Sequence, residues 1–133
     1  MHSITPQERR AIYARLLQGF ADARSAAQDA DARWTWLMAA HVVGQHSPSL
    51  HLDSHRRMLG LARETRDWPE AAGQLLRLLL LPLGHLLDRI PLGNLGRSTV
   101  GITEPMTPPE PIQLLIDIAT LEAQLERLQH QPA

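Results

Sequence analysis

At 133 residues, with 13 basic and 14 acidic side chains and a formal charge of -1, the chain has the length of about one domain and room for one modest core. That charge balance argues against nucleic acid or an anionic membrane as a partner. Lysine and cysteine are both absent, which excludes Schiff-base, P-loop-lysine and thiol chemistry along with disulfides. A metal would have to be held by nitrogen and oxygen donors.

The start Met1-His2-Ser3-Ile4 has no basic segment followed by an apolar run, so a cytoplasmic location is the expectation. Thr5-Pro6-Gln7-Glu8 combines an N-cap, a proline in the first turn and the glutamate of a capping box. A first helix is expected from there to about Ala27, with Ile12, Leu16, Phe20 and Ala23 along one stripe. Asp29 or Asp31 then caps a second helix reaching about Gln45, and the pair reads as a helical hairpin. His46-Ser47-Pro48-Ser49 breaks the pattern and restarts it, with Ser47 as cap and Pro48 in the first turn of a third helix that runs to about Glu64.

Asp67-Trp68-Pro69-Glu70 opens a fourth, leucine-rich helix that Pro82 is expected to kink or end. Its apolar run, Leu75 to Leu87, is interrupted by Arg77, Pro82 and His85 and is shorter than the roughly 20 residues a membrane span needs. It reads as core. From Ile90 to Pro111 glycine and proline dominate without a sustained period, which predicts a long loop, and Asn94 between glycines suggests positive φ or a close contact. Thr107-Pro108-Pro109-Glu110 resembles a second capping box. Behind it Leu114, Ile118, Leu121, Leu125 and Leu128 recur in heptad spacing over about two heptads, so the last helix either docks on the domain or pairs subunits.

The expected architecture is therefore all-α: a small bundle of about five helices with a Gly/Pro-rich loop before the last. Residues 1–106 form the helical domain with its loop, and residues 107–133 form the C-terminal helix.

The candidate chemistry lies on the second and third helices. Trp34, Leu37, Met38, His41 and Gln45 share one face, as do His51, His55, Met58, Leu59 and Ala62. His51 and His55, four residues apart, stack their β-carbons about 5 to 6 Å from each other, and the short connection can bring His41 alongside. Three imidazoles with an open fourth position suit a divalent transition metal such as zinc, copper, nickel or iron. Gln45, His46 and Asp53 are candidates for further ligands or for orienting the rings. Gly93, Asn94 and Gly96 belong to a loop that could close over the site. His2, His85 and His130 have no partner in sequence. The competing reading keeps the histidines structural, in a helical interaction module that dimerises through the C-terminal helix. A histidine base in a pocket closed by the loop is a third, although no serine has an activating neighbour in sequence, so whether the chain is an enzyme stays open.

Ala40-His41-Val42-Val43-Gly44-Gln45, His51 and His55 with Met58-Leu59, Gly73-Gln74, Leu76-Arg77, and Pro91-Leu92-Gly93-Asn94-Leu95-Gly96 leading to Pro105-Met106 together resemble a bacterial family of short proteins carried as a domain of unknown function. The resemblance spans about residues 10–116. It implies the fold class and the location of a site, without a reaction. The chain has Leu37 or Met38 where that family commonly has an acidic residue one turn before the first histidine. It also reads Gly93-Asn94-Leu95-Gly96-Arg97 in place of G-N-T-G-G. Both departures weaken any role for a carboxylate ligand or an all-glycine loop.

Overall fold

A computed structural model of the chain describes residues 3–92, 94–98, 101 and 106–132. Among these are five helices and no strand: α1 Pro6–Ser25, α2 Ala30–Gly44, α3 Pro48–Glu64, α4 Trp68–Leu86 and α5 Glu110–Gln129. The capping box forms at α1, where Glu8 N–H donates to Thr5 Oγ1 at 3.1 Å and Thr5 N–H to Glu8 Oε2 at 2.9 Å. Asp29 caps α2 by accepting from the Ala32 N–H, and Asp67 caps α4 by accepting from the Glu70 N–H. Two expected caps do not form. Ser47 stands at the N-cap of α3 without a capping bond, its hydroxyl paired with Ser49 instead. Pro109, not Thr107, precedes α5, and no side chain caps that helix.

Each of α1 to α4 packs on its neighbour in sequence, and α5 returns to lie against α1 and α2. The result is two adjoining apolar clusters that share α2. Ile12, Tyr13, Leu16, Ala39, Ala40, Val43, Ile112 and Ala119 form one, between α1, α2 and α5. Trp34, Leu37, Met58, Leu61, Ala62 and Ala71 form the other, between α2, α3 and α4. Within α5 the inward residues Ile112, Leu115, Ile116, Ala119 and Ala123 follow helical spacing. The heptad series Leu114, Ile118, Leu121, Leu125 and Leu128 lies on a different stripe and is exposed.

Helix α4 departs most from expectation. Pro82 neither ends it nor prevents another turn: the helix runs on to Leu86 with Pro82 exposed. Its leucines do not fill the core either, because Leu75, Leu76, Leu79, Leu80, Leu83, Leu86 and Leu87 are all exposed and only Leu81 is buried. What α4 turns inward is Glu70, Ala71, Gln74, Arg77 and Leu81. The helix is amphipathic in reverse, and the reason lies in the polar partners that this inward stripe meets on α3 and in the following loop. The tryptophans divide as well: Trp34 is core, Trp36 is half-buried against Gly19, and Trp68 is exposed.

Leu37, fully enclosed, and Leu79, 75 % exposed, give the two extremes of this arrangement. Leu37→Ala is expected to lower unfolding stability by about 2 to 5 kcal/mol and Leu79→Ala by no more than about 0.5 kcal/mol, as read from urea denaturation. Equal losses at the two positions would contradict the inverted face of α4.

Candidate metal centre

The last turn of α2 carries His41, and the first turns of α3 carry His51 and His55 one turn apart. The short connection at 45–47 folds α3 back so that all three rings are buried together. His41 Nε2 lies 3.1 Å from His51 Nε2 and 3.1 Å from His55 Nε2, and one ligand atom from each residue falls within 4.8 Å of the others. Two nitrogens each about 2.05 Å from one ion at a tetrahedral angle would stand about 3.3 Å apart, and at a right angle about 2.9 Å apart. The two spacings from His41 fall between these.

For His55 the outer nitrogen fixes which way the lone pair faces. Gln74 Nε2 donates to Glu70 Oε1 at 2.8 Å and to the Gly96 carbonyl at 2.9 Å, so its Oε1 must be the atom that meets His55 Nδ1 at 2.7 Å. An amide oxygen only accepts. His55 therefore carries its proton on Nδ1 and presents an Nε2 lone pair to the centre of the cluster. His51 Nδ1 pairs with His85 Nε2 at 2.8 Å, so Nε2 is the His51 nitrogen that faces the cluster, and it presents a lone pair when Nδ1 is the donor. His41 Nδ1 is buried, and the Asn94 backbone beside the ring favours a proton on it. Three imidazole nitrogens meet at one point with no carboxylate among them, a donor set in which neutral rings can turn their lone pairs to a shared cation.

Behind Gln74 the chain of contacts continues to the Glu70 carboxylate, which is 2 % exposed. Ser98 holds it through both its backbone N–H, at 3.0 Å from Oε1, and its hydroxyl, which donates to Oε2. Burial by itself would raise the Glu70 carboxyl, but hydrogen bonds from Ser98 and Gln74, with Arg97 nearby, outweigh it and hold the group below its ordinary value. An anchored carboxylate thus orients the glutamine that orients His55, an extended form of the carboxylate–histidine arrangement common behind metal ligands.

The loop after α4 closes the other side. Gly96, at φ +85°, lies flat on His41: a Cβ there would stand 2.8 Å from three atoms of the ring. Asn94 does not adopt positive φ itself; its side chain accepts from the Gly96 N–H and donates to the Gly101 carbonyl. Gly73 gives the loop its approach to α4, since a Cβ at that position would collide with Ser98 at 2.2 Å. Arg97 stacks over Trp34 at 4.2 Å, and its carbonyl accepts from Arg77.

Residues 7–116 match the family described as Protein of unknown function (DUF3703). The chain belongs to the DUF3703 family. No curated protein and no solved structure matches it. The cluster and the loop segment that touches it both lie inside the DUF3703 span, whereas most of α5 runs beyond it.

Of the residues singled out in the sequence, His41, His51 and His55 come together, and Gln45 is buried beside them, donating to the Pro91 carbonyl at 3.0 Å. Asn94 and Gly96 adjoin His41, while Gly93 lies outside the described residues. His46 is exposed at the turn. Asp53 faces away, binding the Tyr13 hydroxyl and Arg57, each at 2.7 Å, because position 53 falls on the opposite side of α3 from 51 and 55. Sequence reasoning passed over Gln74, Glu70 and His85. Their signal was present as polar residues at helical spacing, Glu70, Gln74, Arg77 and His85, on a leucine-rich helix.

Burial is the largest influence on the rings. It holds His41 well below the ordinary imidazole value, with repulsion from His55 and His51 adding to it, and pushes His51 down to about 3. It lowers His55 to about 4, where the Gln74 bond and Glu70 act in the opposite direction and Arg77 in the same one. Above about pH 6.5 the rings are neutral whether the chain is folded or unfolded. Below it the unfolded chain takes up protons that the folded cluster refuses, so stability declines as pH falls from 6.5 through the folded values. The urea midpoint of metal-free protein should be level above about pH 7 and drop steadily between about pH 6.5 and 4.5; a midpoint that stays constant across that interval would mean the rings are not buried neutral.

Proposed function

We propose that the protein binds a divalent transition metal through Nε2 of His41, His51 and His55, and that it handles or senses the ion. The observation that carries this reading is the 3.1 Å approach of His41 Nε2 to both other Nε2 atoms in a buried cluster where His55 is held with its lone pair inward. Neutral imidazole donors suit zinc, copper, nickel or iron and do not suit magnesium or calcium, which favour oxygen. Handling or sensing is preferred to catalysis by a protein nucleophile, since Ser54 Oγ donates to the His51 carbonyl and Ser98 Oγ to Glu70, so neither is activated by a base in the cluster.

Metal analysis of protein purified without a histidine tag is expected to find one ion per chain, lost in His51→Ala combined with His55→Ala. Gln74→Leu should keep the fold and lower metal affinity by about 10- to 100-fold, since it removes the acceptor that fixes the His55 tautomer. Protein that is metal-free as purified, and whose thermal stability does not change on adding zinc, copper or nickel, would refute the proposal.

A second reading, compatible with the first, is that α5 joins two copies of the chain. The exposure of Leu114, Ile118, Leu121, Leu125 and Leu128, between 46 and 61 %, favours it, because these residues keep heptad spacing on a face that nothing in the described chain covers. Since the other face of α5 is part of the core, surface substitutions test this better than truncation. Sedimentation should show a dimer that Leu121→Glu with Leu125→Glu converts to a folded monomer; a wild-type chain that stays monomeric at high concentration would dispose of the idea.

A further inference from the structure

A cavity of about 220 Å³ opens directly onto the three imidazoles. Leu80, Leu81, Leu83, Leu87 and Ile90 also line it, with Arg77 and Arg89, while no acidic side chain does among the described residues. Resting on the metal reading above, the charge balance then has one direction. Three neutral rings leave the double charge of a bound ion uncompensated, and the buried Glu70 carboxylate, which stands outside the cavity lining, already has the charges of Arg77 and Arg97 to offset. Net positive charge in a largely apolar cavity is costly without an anion. Three protein ligands also leave a coordination position unfilled, as in open metal sites.

We infer that this cavity binds a small aliphatic monocarboxylate, its oxygen completing the coordination of the ion and its hydrocarbon chain lying against the leucines of α4. An apolar cavity of about 150 Å³ accommodates benzene, so one of about 220 Å³ has room for a carboxylate with a chain of roughly four to six carbons. The leucines supply what a purely electrostatic anion site would lack, a preference for length. This also gives a use to part of the leucine surface that α4 turns away from the core.

Cobalt(II) serves as the probe, because its visible absorption reports both loading and a change of ligand. Protein loaded with cobalt is titrated with acetate, butanoate, hexanoate and neutral hexan-1-ol. Affinity should tighten by about three- to fourfold per methylene from acetate to hexanoate, and hexan-1-ol should leave the spectrum unchanged. Leu83→Glu places a carboxylate at the exposed rim of the cavity. It should retain the cobalt band and weaken hexanoate at least tenfold. A cobalt band that no carboxylate alters, or an affinity independent of chain length, overturns the inference and leaves the metal reading standing. Failure to develop any cobalt band before carboxylate is added, together with no thermal shift on adding zinc, copper or nickel, defeats the metal reading, and this inference with it.

Discussion

Everything around the centre of this molecule follows from placing three neutral imidazoles against one another out of contact with water. Each ring loses hydration and gains little from its neighbours, so the cluster is not a source of stability by itself. It persists because the surrounding elements hold the outer nitrogens. The rigid part is the Gln74 amide, whose two donors are committed to Glu70 and to Gly96 and whose oxygen is thereby left for His55. That commitment determines a tautomer, and the tautomer determines where a lone pair points.

The inward polar stripe of α4 is the consequence one level up. A helix of this composition would ordinarily bury its leucines and expose glutamate, glutamine and arginine. Here Glu70, Gln74 and Arg77 go inside, since each has a built partner: Ser98 for Glu70, His55 and Gly96 for Gln74, the Arg97 carbonyl for Arg77. The leucines are displaced to the surface and to the cavity wall. Local rules of this kind are broken where a site requires it, with stability recovered in the clusters on either side of α2. The loop at 94–98 is equally committed, touching α4 through Ser98 and the Gly96 carbonyl, and α2 through the His41 ring and Trp34. It is a part of the site's wall rather than a cover laid over it.

Much of this was legible without coordinates. The proline-led helix starts, the capping box at Thr5, the helical period that puts His41, His51 and His55 on inward stripes, and the long loop before α5 all depend on neighbours within about one helical turn, which the sequence displays directly. The same locality explains the errors. Asp53 looked available because it sits between two candidate ligands, yet a residue two positions along a helix points to the other side. His85 looked isolated because its partner, His51, is 34 residues away. The leucines of α4 looked like core because apolarity alone predicts burial, and nothing local reveals that a competing polar stripe has better partners.

The chain by itself determined five helical segments, a cysteine-free and lysine-free chemistry, and which imidazoles would turn inward, since these depend on residue type and on the fixed 3.6-residue period. Only the tertiary structure decided that the three Nε2 atoms converge, that Gln74 rather than a carboxylate orients His55, and that α4 presents its polar side to the interior. Those outcomes depend on the angle at which α3 folds back on α2 and on contacts between residues far apart in sequence, and helix periodicity carries no information about either.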